Sequence, residues 1–202
     1  MKPIVTIVLL LALAVIVAFG GYGLAWLLLI KAGNRLTKRQ LALQPGMHVL
    51  DVGCGSGRFT IPMAQRVGST GSVLGIDIEA GKLQRAEQRL QKASSKNIRF
   101  QRAGAGEGKL PHEQFERALL FAVLGEMSDR EAALAEIFQA LKSGGILCIT
   151  EGFLDPHYQS QERVRSLAQA VGFVEERCEG NRWLFTMNFL KPEASRFGGR
   201  LS

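Results

Sequence analysis

The stretch VLDVGCGSGRFT (49–60) sets three glycines, Gly53, Gly55 and Gly57, at alternate positions after Asp51. Glycine at the exit of a buried strand frees the turn to bend and lets a ligand lie against the backbone. The spacing is DxGxGxG. It departs from the GxGxxG dinucleotide fingerprint, because Arg58 stands where the third glycine belongs. It is not a Walker-type phosphate loop either, since no GK[ST] follows. Asp51 adds negative charge beside the turn, which disfavours a bound pyrophosphate and suits a cationic amine or sulfonium. Asp77 ends the next apolar run, where an acid can reach ribose hydroxyls from the neighbouring turn.

A second group of reactive side chains lies in EGFLDPHY (151–158), with Glu151, Asp155, His157 and Tyr158, and Glu126 precedes it in GEM. His157 is the candidate general base, because a free imidazole titrates near neutrality. The plainer alternative is a surface histidine in a turn beside Pro156. His48 and His112 have no comparable setting and read as structural. Cys54, Cys148 and Cys178 are far apart, odd in number and form no CxxC, so neither a disulfide framework nor a zinc site is indicated.

The elements that must position these groups alternate. Apolar runs at 48–52, 72–77, 98–103, 117–123 and 144–150 read as strands. Helices are expected from about Arg58 to Val67, then with Leu83, Ala86 and Leu90 on one face, and then after Ser128 and Glu131, which have capping-box spacing. A further helix covers 161–171 and stops at Gly172, and strands at 173–179 and 183–190 are close enough for a hairpin. Strands alternating with helices predict a doubly wound α/β fold with a mostly parallel sheet, whose ligands bind at the strand carboxyl ends.

A ribose, close backbone contact and a positive end together describe S-adenosylmethionine. From about 44 to 191 the chain resembles the class I S-adenosylmethionine-dependent methyltransferases. VLDVGCGSGRFT looks like their first motif, VLGIDIEAGKLQRAEQRL like the second, and LFAVLGEMSDREAALAEIFQALKSGGILCITE like the fourth and fifth strands. The resemblance implies a seven-stranded Rossmann-like sheet with an antiparallel last strand. It implies a cofactor site at Asp51, Gly53, Cys54, Gly55, Gly57, Asp77, Ile78 and Phe121, with Asp77 on the ribose and Ile78 against the adenine. Two departures stand out. Gly104 occupies the place where the family often has an acid for the adenine amine, with Glu107 further along the loop, and Glu116–Arg117 replaces the usual aspartate and apolar residue.

The first forty residues have a different character. Ile4 to Ile30 is a run of 27 residues without a charge, followed by Lys31, Arg35, Lys38 and Arg39, and the first acid is Asp51. At the helical rise the run spans about 40 Å, enough for a tilted transmembrane helix. The bases behind it predict an outside N-terminus and a cytoplasmic catalytic domain. The formal charge of +7 lies on the flanks, while residues 41–190 balance 17 bases against 17 acids, which fits an anionic membrane better than nucleic acid.

The expected organisation is an anchor at 1–30, a basic linker and short helix at 31–46, the methyltransferase domain at 47–191 and a disordered tail at 192–202. The shortened segment ahead of the first strand leaves a more open acceptor site, for which the membrane could form a wall. A small or lipid-like, membrane-proximal methyl acceptor is expected, with no metal and no nucleic-acid partner. The alternatives are a non-enzymatic, membrane-tethered cofactor-binding or interaction module and a dinucleotide-dependent oxidoreductase.

Overall fold

The computed structural model describes residues 35, 37, 39–93 and 95–193. The expected anchor at 1–30 and nearly all of the tail lie outside the described residues. Among the described residues no helix is long and apolar enough to cross a membrane.

The strands are β1 (His48–Val52), β2 (Ser72–Asp77), β3 (Ile98–Arg102), β4 (Phe115–Phe121), β5 (Leu141–Gly152), β6 (Val174–Asn181) and β7 (Leu184–Leu190). The helices are α1 (Thr60–Val67), α2 (Ala80–Ala93), α3 (Arg130–Ala140) and α4 (Gln161–Ala170), with one 3-10 turn at Leu124–Glu126. The strands form one seven-stranded sheet in the order β3-β2-β1-β4-β5-β7-β6. All pairs from β3 to β5 are parallel, and β7 runs antiparallel to both β5 and β6. The order reverses between β1 and β4, which is where a doubly wound sheet opens a crevice at its carboxyl edge.

The central strands are buried on both sides, as near-continuous apolar runs require. On one face Leu50, Leu120, Leu147 and Ile149 pack with Leu134 and Ile137 of α3 and Val164 and Leu167 of α4. On the other, Val49, Leu119 and Cys148 pack with Met63 and Val67 of α1 and with Leu41 and Leu43 ahead of β1. Each fully buried leucine contributes about 1.5–3 kcal/mol relative to exposure.

Two local expectations are corrected. The cap of α3 is Asp129 rather than Ser128: its carboxylate accepts the Ala132 N–H at 2.9 Å. A capping side chain must lie one residue before the first helical turn, and that turn begins at Arg130. β5 is also longer than its apolar core, because Leu141 already pairs with Phe115 before Gly144 and Gly145. α4 is capped by Ser160, whose hydroxyl accepts the Arg163 N–H at 3.3 Å.

The short helical stretch ending at Leu41 descends the sheet. The Thr37 hydroxyl lies 2.7 Å from that of Thr150, near the carboxyl end of β5. Further along, Asn188 Nδ2 donates to the Gln40 carbonyl at 2.9 Å. At the base, Arg117 Nε donates to the Leu41 carbonyl at 3.0 Å. Thr150 pairs with Phe121 at the far end of β4, whereas Arg117 pairs with Ile146 near its start. The chain therefore arrives at the carboxyl rim of the sheet and runs toward its amino end.

Candidate functional site

A cavity of about 530 Å³ opens beyond the carboxyl ends of β1, β2, β3 and β4. Its floor includes Gly53, Asp77, Ile78 and Phe121, four of the residues singled out from sequence. Its walls come from the loops after β3 and β4, including Gly104, Glu107, Val123, Glu126 and Met127.

The glycine turn has two functions here. Gly53 lies at φ +68°, and a Cβ there would stand 2.4 Å from Val123 Cγ2, so a side chain would collide with the cavity wall. Gly55 lies at φ +55°, with nothing within 4 Å of where its Cβ would be. That position is left-handed and open, which suits close approach to the backbone. Gly57 is buried toward α2, its Cβ position lying 3.4 Å from Ala86. Cys54, Gly55 and Gly57 shape the turn without lining the cavity. Burial pushes the Cys54 thiol up, keeping it protonated and inert.

Asp77 is fixed before any ligand arrives. Its Oδ2 accepts the Gly55 N–H at 2.9 Å and its Oδ1 accepts the Glu79 N–H at 2.8 Å. An ionised carboxylate has about four lone-pair sites, so two acceptor positions remain for hydroxyls. Asp51 is placed differently. It is buried beneath the turn, where the Thr60 hydroxyl donates to its Oδ2 at 2.6 Å. Burial drives its pKa up to about 7, with the Thr60 hydrogen bond opposing and the nearby Asp77 charge adding to the rise. It lies outside the cavity lining.

The loop after β3 bears on the missing adenine acid. A Cβ at Gly104 would stand 2.9 Å from Glu107 Oε1 and 3.3 Å from Ile78 Cγ2. The Glu107 carboxylate therefore folds back over Gly104, beside Ile78, and its Oε2 accepts a hydrogen bond from Lys109 Nζ at 2.6 Å. Lys109 together with the Gly104 backbone holds Glu107 below the usual carboxylate range. One organiser of this loop was missed in the sequence. Glu136, buried on α3, accepts the N–H of Gly106 and, at 2.8 Å, the N–H of Leu110. The available signal was an acid next to the apolar stripe Leu134, Ile137, Phe138 and Leu141.

The residues after β5 divide. His157 is exposed and does not line the cavity. Its N–H donates to Asp155 Oδ1 at 2.7 Å, and its backbone packs against Gly125 so closely that a Cβ there would meet the His157 carbonyl oxygen at 1.7 Å. Tyr158 donates its hydroxyl to the Arg182 carbonyl at 2.6 Å. Glu151 is buried, its Oε2 accepting the Gln159 N–H at 3.2 Å, and burial pushes its pKa up to about 8. Glu126 alone of the acids proposed for chemistry lines the cavity. Arg130 holds its turn by donating to the Leu124 carbonyl at 3.1 Å and the Gly125 carbonyl at 2.8 Å.

His48 is structural, its Nδ1 lying 2.7 Å from the Ser72 hydroxyl. The Glu116–Arg117 departure is structural too. Glu116 accepts the His48 N–H at 2.7 Å and pairs with Lys142, while Arg117 holds the segment ahead of β1. All three cysteines are free. Among the described residues no group of His, Cys, Asp or Glu could hold a metal ion.

The cavity fits a nucleoside-sized cationic ligand: an open glycine turn, a fixed carboxylate with spare acceptors, an exposed aliphatic side chain, and Glu107 and Glu126 in the lining. The family model of a methyltransferase domain matches residues 43–189. A demethylmenaquinone methyltransferase of Alkalihalophilus pseudofirmus is 29% identical over 120 residues, covering 59% of this chain and 51% of the relative. A 2-phytyl-1,4-naphtoquinone methyltransferase of Nostoc sp. is 33% identical over 127 residues, 62% of this chain and 54% of the relative. The chain thus spans about half the length of these relatives. In fold it is similar to the crystal structure of a SAM-dependent methyltransferase from Aquifex aeolicus, with a TM-score of 0.71 at 22% identity, covering 78% of this chain and 88% of that one. The chain belongs to the methyltransferase domain family, and its cofactor is S-adenosylmethionine.

Proposed function

We propose that this chain methylates a quinone-type ring at a membrane surface. The observation that carries the reading is the Asp77 carboxylate, locked between Gly55 and Glu79 on the floor of the cavity. The quinones after which the two relatives are named supply the acceptor class. The uncharged run from Ile4 to Ile30 and the four bases after it support a tether that keeps the domain beside a lipid-soluble acceptor, on the cytoplasmic side.

When bound, the cofactor supplies an electrophilic methyl group on a sulfonium. Asp77 holds the ribose hydroxyls, and Ile78 and Phe121 offer apolar surface to flat rings. Glu107 accepts from the adenine amine in place of the acid that Gly104 lacks. Asp51 offsets the positive charge from below the turn. A reduced quinone carries ring hydroxyls, and a ring carbon becomes nucleophilic when one of them loses its proton. The Glu126 carboxylate stands in the cavity to accept that proton; once the ring carbon carries the new methyl group, its own hydrogen leaves as a proton to restore the aromatic ring while the oxygen regains one, so one proton is released in all. His157 acts through its backbone, which seats the Gly125 turn carrying Glu126. Alignment of the ring carbon supplies most of the acceleration.

The test uses the full chain in membranes containing a demethylated, reduced menaquinone and a deuteriomethyl-labelled cofactor. Mass spectrometry should find a labelled methyl group on the ring. Binding of S-adenosylhomocysteine without any transfer would instead identify a cofactor-binding module.

A further inference from the structure

Among the described residues four large apolar side chains are conspicuously exposed: Ile78 at 63%, Phe153 at 42%, Trp183 at 48% and Val174 at 47%. Three of them share one edge. Ile78 follows β2, Phe153 follows β5, and Trp183 sits in the turn between β6 and β7, which the pairing of Gly152 with Leu184 brings to the carboxyl end of β5. Val174 opens β6 and lies at the opposite edge. Ile78 already belongs to the cavity. Phe153 and Trp183 do not line it, and no role in the cofactor site accounts for them.

These two residues form a built unit. The Phe153 N–H donates to the Trp183 carbonyl at 2.8 Å, and their rings meet edge to face at 4.9 Å between centroids. The Arg182 guanidinium lies 4.5 Å from the centre of the Trp183 ring. The turn is braced twice more, by Tyr158 donating to the Arg182 carbonyl at 2.6 Å and by Asn181 Oδ1 accepting the Trp183 N–H at 2.9 Å. An exposed tryptophan and phenylalanine beside an arginine match the chemistry of a bilayer interface. The rings sit at headgroup depth and the guanidinium reaches phosphate.

The course of the chain argues for lipid as the occupant. Thr37 meets Thr150 at the carboxyl rim, and the segment then descends to Arg117 at the base. The chain therefore reaches the domain at the edge that carries Phe153, Trp183 and the cavity mouth. Upstream of Thr37 lie Lys31 and Arg35 and the run of 27 uncharged residues, so a bilayer holding that run would face this edge.

We propose that Phe153, Trp183 and Arg182 form an interfacial foot that rests on an anionic phospholipid bilayer, turning the cavity mouth toward the membrane. The proposal rests on the tethering described above and adds an orientation to it. A tether alone leaves the domain free to tumble; the foot fixes which edge meets lipid.

The test uses the full chain carrying Trp26→Phe, which leaves Trp183 as its sole tryptophan. It is reconstituted in vesicles of phosphatidylcholine and phosphatidylglycerol with or without brominated acyl chains. The expected result is flotation with the vesicles and a loss of about half or more of the Trp183 emission with brominated lipid, as for a ring at the interface. Adding Arg182→Gln should reduce the quenching when the phosphatidylglycerol fraction is low. Flotation without quenching would overturn the foot while leaving the tether standing. Failure to float would overturn both, and neither result bears on methyl transfer, which the labelled-cofactor assay reads separately. Quenching that persists with phosphatidylcholine alone and is unaffected by Arg182→Gln would overturn the anionic part of the proposal.

Discussion

The backbone N–H of Gly55 donates to Asp77 Oδ2 at 2.9 Å, joining the turn after β1 to the end of β2. The two halves of the candidate cofactor site are thus one hydrogen-bonded unit, and each holds the other in place. Asp77→Ala removes the proposed ribose acceptor and also frees the Gly55 N–H. Affinity for S-adenosylhomocysteine should fall by about 1.5–3 kcal/mol, the scale of hydrogen bonds to a charged group. Calorimetric titration checks this, and unchanged affinity would remove Asp77 from the ribose.

The buried Asp51 makes stability depend on pH in an unusual direction. Burial raises its pKa to about 7, while an unfolded aspartate releases its proton near 3.9. Between these values the folded chain holds a proton that the unfolded chain has lost. This contribution to stability is full below about pH 4, declines as pH rises, and is gone above about pH 7. Glu151, raised to about 8 by burial, adds the same sign over a window reaching higher. Asp51→Asn should therefore flatten the pH dependence between about pH 5 and 7 without abolishing folding. Urea unfolding at several pH values measures it. Binding of a cation beside the turn should also expel the Asp51 proton, so calorimetry in buffers of different ionisation enthalpy should detect proton release near pH 7 in the parent chain and none from this site in the variant.

Gly125 is constrained by packing alone. A Cβ there would meet the His157 carbonyl oxygen at 1.7 Å and the His157 Cβ at 2.8 Å, so the backbone of one loop must move. Gly125→Ala should cost about 1–3 kcal/mol, the scale of overpacking. His157→Ala keeps the backbone contact and should leave stability nearly unchanged. If His157→Ala abolishes methyl transfer while cofactor binding is normal, the imidazole is the base and Glu126 is not.

Much of this arrangement was legible in the sequence, for identifiable reasons. β1 and β2 are short apolar runs ended by acid or glycine, so their limits and the positions of Asp51 and Asp77 follow from pattern. The hairpin of β6 and β7 was marked by the closeness of the two runs at 173–179 and 183–190. Burial depth was not legible: Asp51 and Asp77 are both acids near strand ends, yet one faces Thr60 under the turn and the other the cavity. The backbone contact of His157 with Gly125 was hidden because the two residues are distant in sequence. The edge shared by Phe153 and Trp183 was equally hidden, since it depends on the antiparallel register of β5 and β7.

Glu136 shows how far support for the site reaches. Its carboxylate accepts the N–H groups of Gly106 and Leu110, tying the loop that carries Gly104 and Glu107 to α3. Glu136→Ala leaves both donors without their partner, at about 1–3 kcal/mol for the buried Leu110 N–H and less for Gly106, which lies at the surface. The loop should loosen before the core does, because Gly106, Glu107, Gly108 and Lys109 are exposed. Hydrogen exchange of 104–110 should speed up, with protection of β1 and β4 retained. Affinity for S-adenosylhomocysteine should fall although Glu136 lies outside the cavity lining, because Glu107 and Gly104 lose their fixed position. Glu136→Gln retains one acceptor oxygen and should recover part of both effects. Equal exchange rates in the parent chain and Glu136→Ala would show that the loop keeps its shape without α3.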